Sequence, residues 1–214
     1  MKYVIITGAS RGLGLVVANT FAANGWSVIG TGTSPRPEQL VSETMYYQFD
    51  NSDYDAANNF WQTLKNEAGN DPVCLINNAG GYKGGKLQEL KPEDYVSQMQ
   101  SIYFSAVHMT RGLINNFAQA KIVNIISSTG VTPLANNSAY GPAKTAEAHF
   151  FNSLQKEYPP EQYQITNLYP DKMATSSQDN SAMEPKDIAE LILDLASSEK
   201  TLYLKDAFIS SLKH

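Results

Sequence analysis

Short apolar runs rich in β-branched residues punctuate the chain at Tyr3–Ile6, Trp26–Ile29, Val73–Ile76 and Ile122–Ile126. Each is too short for a helix and is apolar at consecutive rather than alternate positions, the mark of a parallel strand buried on both faces. Two further strands fit Met45–Phe49 and Gln164–Tyr169. Between the runs, apolar positions recur at helical spacing, first as Leu13, Val16, Val17, Thr20 and Phe21 and then as Phe60, Leu64 and Ala68. Long helices fit Pro92–Phe117, Ser138–Tyr158 and Glu184–Ser197. Strand and helix alternate throughout, which predicts right-handed βαβ crossovers and an α/β fold with a doubly wound parallel sheet. No linker or repeat divides the pattern. The stretch Thr31–Pro37, with its glycine and prolines, reads as an ordinary loop, so residues 1–214 are expected to form a single domain.

Composition narrows the functional classes. Hydrophobic residues at 42% and charged residues at 17% exclude a disordered chain. Sixteen Lys+Arg against 21 Asp+Glu give a net charge of -5, which leaves no basic field for nucleic acid. No stretch approaches the roughly 20 apolar residues of a membrane span, and the apolar start is too short for a signal peptide. The single cysteine, Cys74, cannot form an internal disulfide, so a reducing, cytoplasmic location is expected. His108, His149 and His214 share no ligand spacing with one another or with Cys74, and no metal site is expected.

The first turn, Thr7-Gly8-Ala9-Ser10-Arg11-Gly12-Leu13-Gly14, leaves a strand and opens a helix. Glycines there admit positive φ and close approach of backbone to a pyrophosphate, while the free N–H groups of the helix start face the anion. A mere tight connection is the competing reading. Four other segments bear on the choice: Asn77-Asn78-Ala79-Gly80 after the fourth strand; Ser127 after the fifth; Tyr140 thirteen residues later with Lys144 at Tyr+4; and Pro170 and Thr175 after the sixth. Singly, Tyr140 and Lys144 read as an aromatic–cation pair, and Ser127 or Ser128 as a helix cap. At i and i+4, however, Tyr140 and Lys144 share one helical face, so the ammonium can stabilise a phenolate and make the tyrosine a usable acid.

In order and spacing these segments resemble the short-chain dehydrogenase/reductase family over nearly the whole chain. The resemblance implies a Rossmann-type fold in which Tyr140 gives a proton, Ser127 holds the substrate oxygen, and Lys144 serves both the tyrosine and the cofactor ribose. Ser128 is the alternative to Ser127. The cofactor is then held by Gly8, Ser10, Arg11, Gly12, Leu13 and Gly14, by Asn78, Ala79 and Gly80, by Tyr140 and Lys144, and at its nicotinamide end by Pro170, Met173 and Thr175. Asp50 falls at the position beside the adenine, with a cap for the following helix, by Asp50 or Ser52, as its other reading. Phe104, Phe117, Phe150 and Phe151 lie on the two long helices, either packed inward or forming a seam. The resemblance favours the seam in a homodimer, possibly a tetramer. The chain departs from the family where a relay asparagine is expected near Ile102, with Gln100 and Ser101 as candidate substitutes. Asp171 replaces the glycine after the motif proline, and no Gly-Gly pair follows the last strand.

Cofactor choice is read after the second strand, where a carboxylate would bind the ribose hydroxyls of NAD and repel a 2′-phosphate. The chain has Gly30-Thr31-Gly32-Thr33-Ser34-Pro35-Arg36 there, with no acid. Arg11, Thr33, Ser34 and Arg36 are candidate phosphate donors, and NADP is the expected cofactor. The segment looks like that of NADP-dependent ketoacyl carrier-protein reductases, which implies hydride transfer between NADPH and a small carbonyl substrate. A short lid, 176–183, implies an open site. The run Ala79-Gly80-Gly81-Tyr82-Lys83-Gly84-Gly85 also resembles dihydropteridine reductase, which keeps a pterin or quinone-like imine as an alternative substrate. A non-catalytic dinucleotide-binding regulator is the competing reading from another class.

Overall fold

A computed structural model describes residues 2–68, 73–173, 182–199 and 203–212. The strands β1 (Tyr3–Thr7), β2 (Ser27–Gly32), β3 (Met45–Gln48), β4 (Val73–Asn77), β5 (Ala120–Ile125), β6 (Tyr163–Pro170) and β7 (Asp206–Ile209) form one sheet, with order β3-β2-β1-β4-β5-β6-β7. Every pairing is parallel. The helices are α1 (Gly12–Ala23), α2 (Tyr54–Ala68), α3 (Pro92–Gln98), α4 (Ser105–Asn116), α5 (Tyr140–Glu157) and α6 (Pro185–Ser197). Among the described residues, no helix is long and apolar enough to cross a membrane.

The apolar runs are continuous because the sheet has a core on each side. Ile5, Leu75, Ile122 and Ile165 pack with Trp61 of α2, Met109 and Leu113 of α4 and Phe151 of α5. Their neighbours Val4, Ile6, Cys74 and Ile76 pack on the opposite side with Val17 and Phe21 of α1 and Ile188 and Ile192 of α6. Lys121 holds the end of α6 by donating from Nζ to the carbonyls of Ala196 (2.9 Å) and Ser198, a favourable place for a cation at a helix C-terminus.

Three features depart from the sequence reading. The long helix expected over Pro92–Phe117 is interrupted, since a π-helical turn, Met99–Phe104, separates α3 from α4. β7 was not expected. Its residues alternate between exposed and half-buried, and Phe208 stacks on Tyr169 with centroids 4.6 Å apart. A polar row, buried at its three asparagines, also crosses the sheet: Asn77, Asn124, Asn167 and the exposed Asp206 are register partners on β4 to β7. Asn77 Nδ2 donates to Asn124 Oδ1 (2.9 Å), Asn124 Nδ2 to Asn167 Oδ1 (2.9 Å), and Asn167 Nδ2 to Asp206 Oδ1 (3.1 Å). A one-residue slip would leave these amides unpaired in the core, so the row fixes the register of the half of the sheet that carries Ser127 and Pro170.

Candidate active site

The glycine turn is tied to the end of β4. Thr7 Oγ1 accepts from the backbone N–H groups of Asn78 and Ala79, both at 2.9 Å, and Asn78 Nδ2 donates to the carbonyls of Thr7 (2.9 Å) and Gly8 (3.3 Å). Gly8 adopts φ +69, and a Cβ on Gly14 would stand 2.2 Å from the Gly8 oxygen, so the turn closes only with glycine at these positions. α1 then starts at Gly12 with no side-chain cap from Arg11 and no acid in its first turn. Its orphan amides and positive dipole end are left to an anion, which fits the pyrophosphate of a dinucleotide.

Thr33 and Ser34 are exposed just beyond β2. Tyr46, which the sequence reading did not single out, crosses to them, its hydroxyl donating to the Ser34 carbonyl at 2.8 Å and lying against Gly32. Arg36 is a different matter. Its guanidinium donates to the carbonyls of Leu40 (3.2 Å), Val41 (2.7 Å) and Thr44 (2.5 Å), so it clamps its own loop instead of awaiting a phosphate. Asp50 closes a local turn, its Oδ1 accepting from the backbone N–H and hydroxyl of Ser52, both at 2.8 Å. The carboxylate that caps α2 is Asp53, which accepts from the Ala56 N–H at 3.0 Å, and neither Asp50 nor Ser52 does so.

Ser127 follows β5 and caps a 3-10 turn, Ser128–Gly130, its Oγ accepting from Thr129 N (3.2 Å) and Thr129 Oγ1 (3.0 Å). Tyr140 is the first residue of α5 and is half-buried, its ring meeting that of Tyr82 edge to face at 5.2 Å and 72°. One turn later Lys144 is buried, and its Nζ donates to the Ile125 carbonyl at 2.6 Å and to Glu147 Oε2 at 2.8 Å. Burial pushes this ammonium down, while the Glu147 carboxylate, with smaller help from Tyr140, more than restores it, so that it lies above the usual lysine value. Burial likewise pushes the Glu147 carboxyl up to about 7, against the pull of Lys144.

Glu147 and Tyr82 were both missed by the sequence reading as parts of the triad's surroundings. Glu147 had a signal. Ala143, Glu147, Ala148, Phe151 and Leu154 recur at helical spacing on the buried side of α5, and an acid inside such a stripe marks a paired charge.

At the expected relay position Ile102 is fully buried and presses on Gly80, with its Cγ1 2.7 Å from where a Gly80 Cβ would stand. Neither candidate substitute points to a relay: Ser101 Oγ donates back to the Ser97 carbonyl at 2.8 Å, and Gln100 is exposed. At the nicotinamide end Pro170 closes β6 and is buried, and Met173 bridges to Met183. Asp171 has a structural use, its N–H donating to the Ile209 carbonyl at 2.9 Å and its Oδ2 accepting from Ser210 Oγ at 2.6 Å. Thr175 and most of the lid 176–183 lie outside the described residues.

Two loops frame the opening and are joined where Gly85 N–H donates to the Asn136 carbonyl at 2.8 Å. Tyr82, Leu87, Val131 and Leu134 expose apolar surface around it. A cleft of about 1200 Å³ runs from Thr129 and Asn137 along the outer side of α5 to Tyr103 and Phe150. Phe117 and Phe151 are packed in the core, whereas Phe104 is 42% exposed and Phe150 half-buried.

The short chain dehydrogenase family model matches residues 2–186. The 3-oxoacyl-[acyl-carrier-protein] reductase of Haemophilus influenzae is 26% identical over 222 residues, covering 92% of this chain and 91% of its own. The 3-ketodihydrosphingosine reductase of Bacteroides thetaiotaomicron is 28% identical over 215 residues, covering 99% of this chain and 75% of its own. Among solved structures, an alcohol dehydrogenase from Thermococcus sibiricus, complexed with 5-hydroxy-NADP, superimposes with a TM-score of 0.89 at 19% identity, over 100% of this chain and 98% of that one.

Proposed function

The chain belongs to the short-chain dehydrogenase family, and from that premise we propose that it is an NADP-dependent reductase of small carbonyl compounds, built as one catalytic domain over residues 1–214. The observation that carries this reading is the buried Lys144 ammonium set one helical turn from Tyr140 at the mouth of the sheet. Over the ~5 Å typical of an i, i+4 pair and at an effective dielectric near 20, such a charge stabilises a phenolate by about 3 kcal/mol.

A nicotinamide held at this site would supply the hydride for the carbonyl carbon. Tyr140 gives its phenolic proton to the oxygen on which charge develops, and Ser127 donates a hydrogen bond to the same oxygen. Lys144 holds the resulting phenolate. Gly8, Gly12 and Gly14 let the backbone close on the pyrophosphate, with Ser10, Leu13, Asn78, Ala79 and Gly80 shaping its path and Asp50 beside the adenine. Pro170 and Met173 bound the nicotinamide end.

Preference for NADP is supported by the acid-free end of β2 and by the exposed Arg11, with Ser10, Thr33 and Ser34 as further donors. The Thermococcus enzyme, of the same fold, carries an NADP derivative. A second reading, reduction of a pterin or quinone-like imine, is favoured by the Tyr82 ring, which is 69% exposed and offers a flat wall beside Tyr140. The exposed Phe104 and the cleft reaching Phe150 support assembly as a homodimer through the outer sides of α4 and α5.

The test is consumption of NADPH with a panel of ketones, aldehydes, quinones and dihydropterins. Turnover with ketones or aldehydes is expected. NADPH fluorescence that shifts without oxidation by any of them would make the protein a dinucleotide-binding regulator.

A further inference from the structure

Among the described residues, Lys144 and Glu147 are the two charged side chains that the fold buries. Glu147 is 1% exposed and stands among Ala143, Ala148, Phe151 and Leu154, where an apolar side chain of similar volume would be expected. A buried ion pair is commonly no more stabilising than such an apolar replacement, so its presence here asks for another use.

The geometry points to Glu147 as a positioning residue that keeps the Lys144 ammonium protonated and aimed. Glu147 Oε2 and the Ile125 carbonyl take two N–H groups of Nζ at 2.8 and 2.6 Å, which fixes the direction of the third. This assignment rests on the reading of Tyr140 and Lys144 as the reacting pair. The charged and titratable groups acting on Lys144 are Glu147 and Tyr140, and Lys144 is the one acting on Glu147. The ionisable groups on the elements packed around α5 are engaged elsewhere: on α3 Asp94 pairs with Lys83 and Tyr95 bonds Ser138, on α4 His108 and Arg111 lie against Tyr54, Lys121 of β5 bonds the end of α6, Tyr103 of the π turn faces Phe150, and Tyr169 of β6 faces Asp206. Toward Lys144 itself β5 turns the Ile125 carbonyl and the 3-10 turn its Gly130 backbone. Burial alone drives an ammonium toward its neutral amine. With the carboxylate removed, Lys144 loses the charge that opposes this and can no longer support a phenolate.

The experiment compares wild type with Glu147→Gln, which keeps a hydrogen-bond acceptor and removes the charge, and with Glu147→Leu. The Lys144 midpoint is read by NMR titration of protein carrying lysine labelled with ¹³C at Cε, with Lys144→Arg to assign the signal. The midpoint is expected to fall by more than about three pH units in Glu147→Gln, to about 7 or below, as for an ammonium buried without a counter-charge. With NADPH and a substrate of the wild-type protein, kcat of Glu147→Gln is expected to fall about tenfold or more at pH 8 and to recover toward wild type near pH 6, with KM little changed. An unmoved Lys144 midpoint, or pH profiles that overlie wild type in both variants, would overturn the assignment. If Glu147→Leu does not fold, Glu147→Gln alone decides. The NMR titration needs no cofactor or substrate, so absence of turnover by the wild-type protein would refute the proposed reductase function and leave the Lys144 result standing separately.

Discussion

The ring of Tyr82 stands edge-on to the ring of Tyr140, with centroids 5.2 Å apart and planes at 72°. Tyr82 follows two glycines and is largely exposed, so its ring stands as a wall beside that of Tyr140. Replacing Tyr82 with Ala removes aromatic surface that a planar substrate would stack on, a loss of about 0.5–1.5 kcal/mol. KM for aromatic or heterocyclic substrates is expected to rise severalfold, with NADPH affinity unchanged by fluorescence titration. An equal KM change for small aliphatic ketones would show that the ring only shapes the loop.

Arg11 and Arg36 separate two roles that the sequence treats alike. Arg11 is exposed at the start of α1, whereas Arg36 is engaged by backbone carbonyls of its own loop. Arg11→Ala is expected to weaken NADP(H) about tenfold or more while leaving NAD(H) nearly unaffected, the loss appropriate to one charge-assisted hydrogen bond. Arg36→Ala is expected to lower the melting temperature and leave the NADP-to-NAD ratio in place. Calorimetric titration and thermal unfolding of both variants test the distinction.

These two arginines also show what the sequence makes legible. The strands at Ile5, Leu75 and Ile122 were readable because burial on both faces writes an unbroken apolar run. The glycine turn and the Tyr140–Lys144 spacing were readable because each is local. Arg36 was misassigned because its partners at Leu40 and Thr44 depend on how a loop folds back, which carries no periodic signal. β7 was missed because it is a short edge strand, half-buried only at Ala207 and Ile209, while Phe208 stays exposed and stacks on Tyr169. The π turn at Met99–Phe104 lies in a segment whose residues are equally at home in an α-helix, so the interruption has no marker in composition. Glu147 was passed over because an acid on a helix is ordinarily solvated.

Cys74 lies in the middle of β4, and burial pushes its thiol up to about 12. With almost no thiolate at pH 8, the native protein is expected to resist a disulfide reagent and to react with one equivalent once unfolded in denaturant. Rapid labelling of the native protein would show that β4 opens.

Phe150 borders the cleft on the outer side of α5, while its neighbour Phe151 is sealed in the core. Phe150→Glu places a charge in the proposed seam without entering the core, and sedimentation is expected to show a dimer for wild type and a monomer near 23.5 kDa for the variant. A wild-type monomer at micromolar concentration would remove the seam from the account.

The most direct measurement is made on Tyr140→Phe, which deletes one hydroxyl and keeps the ring that packs on Tyr82. NADPH affinity is read by fluorescence and carbonyl reduction by consumption of NADPH, on the same preparation. Affinity is expected to stay within about twofold of wild type and kcat to fall by at least ~10²-fold, the scale of a lost general acid. Residual kcat within a factor of ten of wild type would contradict this, since another group would then be supplying the proton.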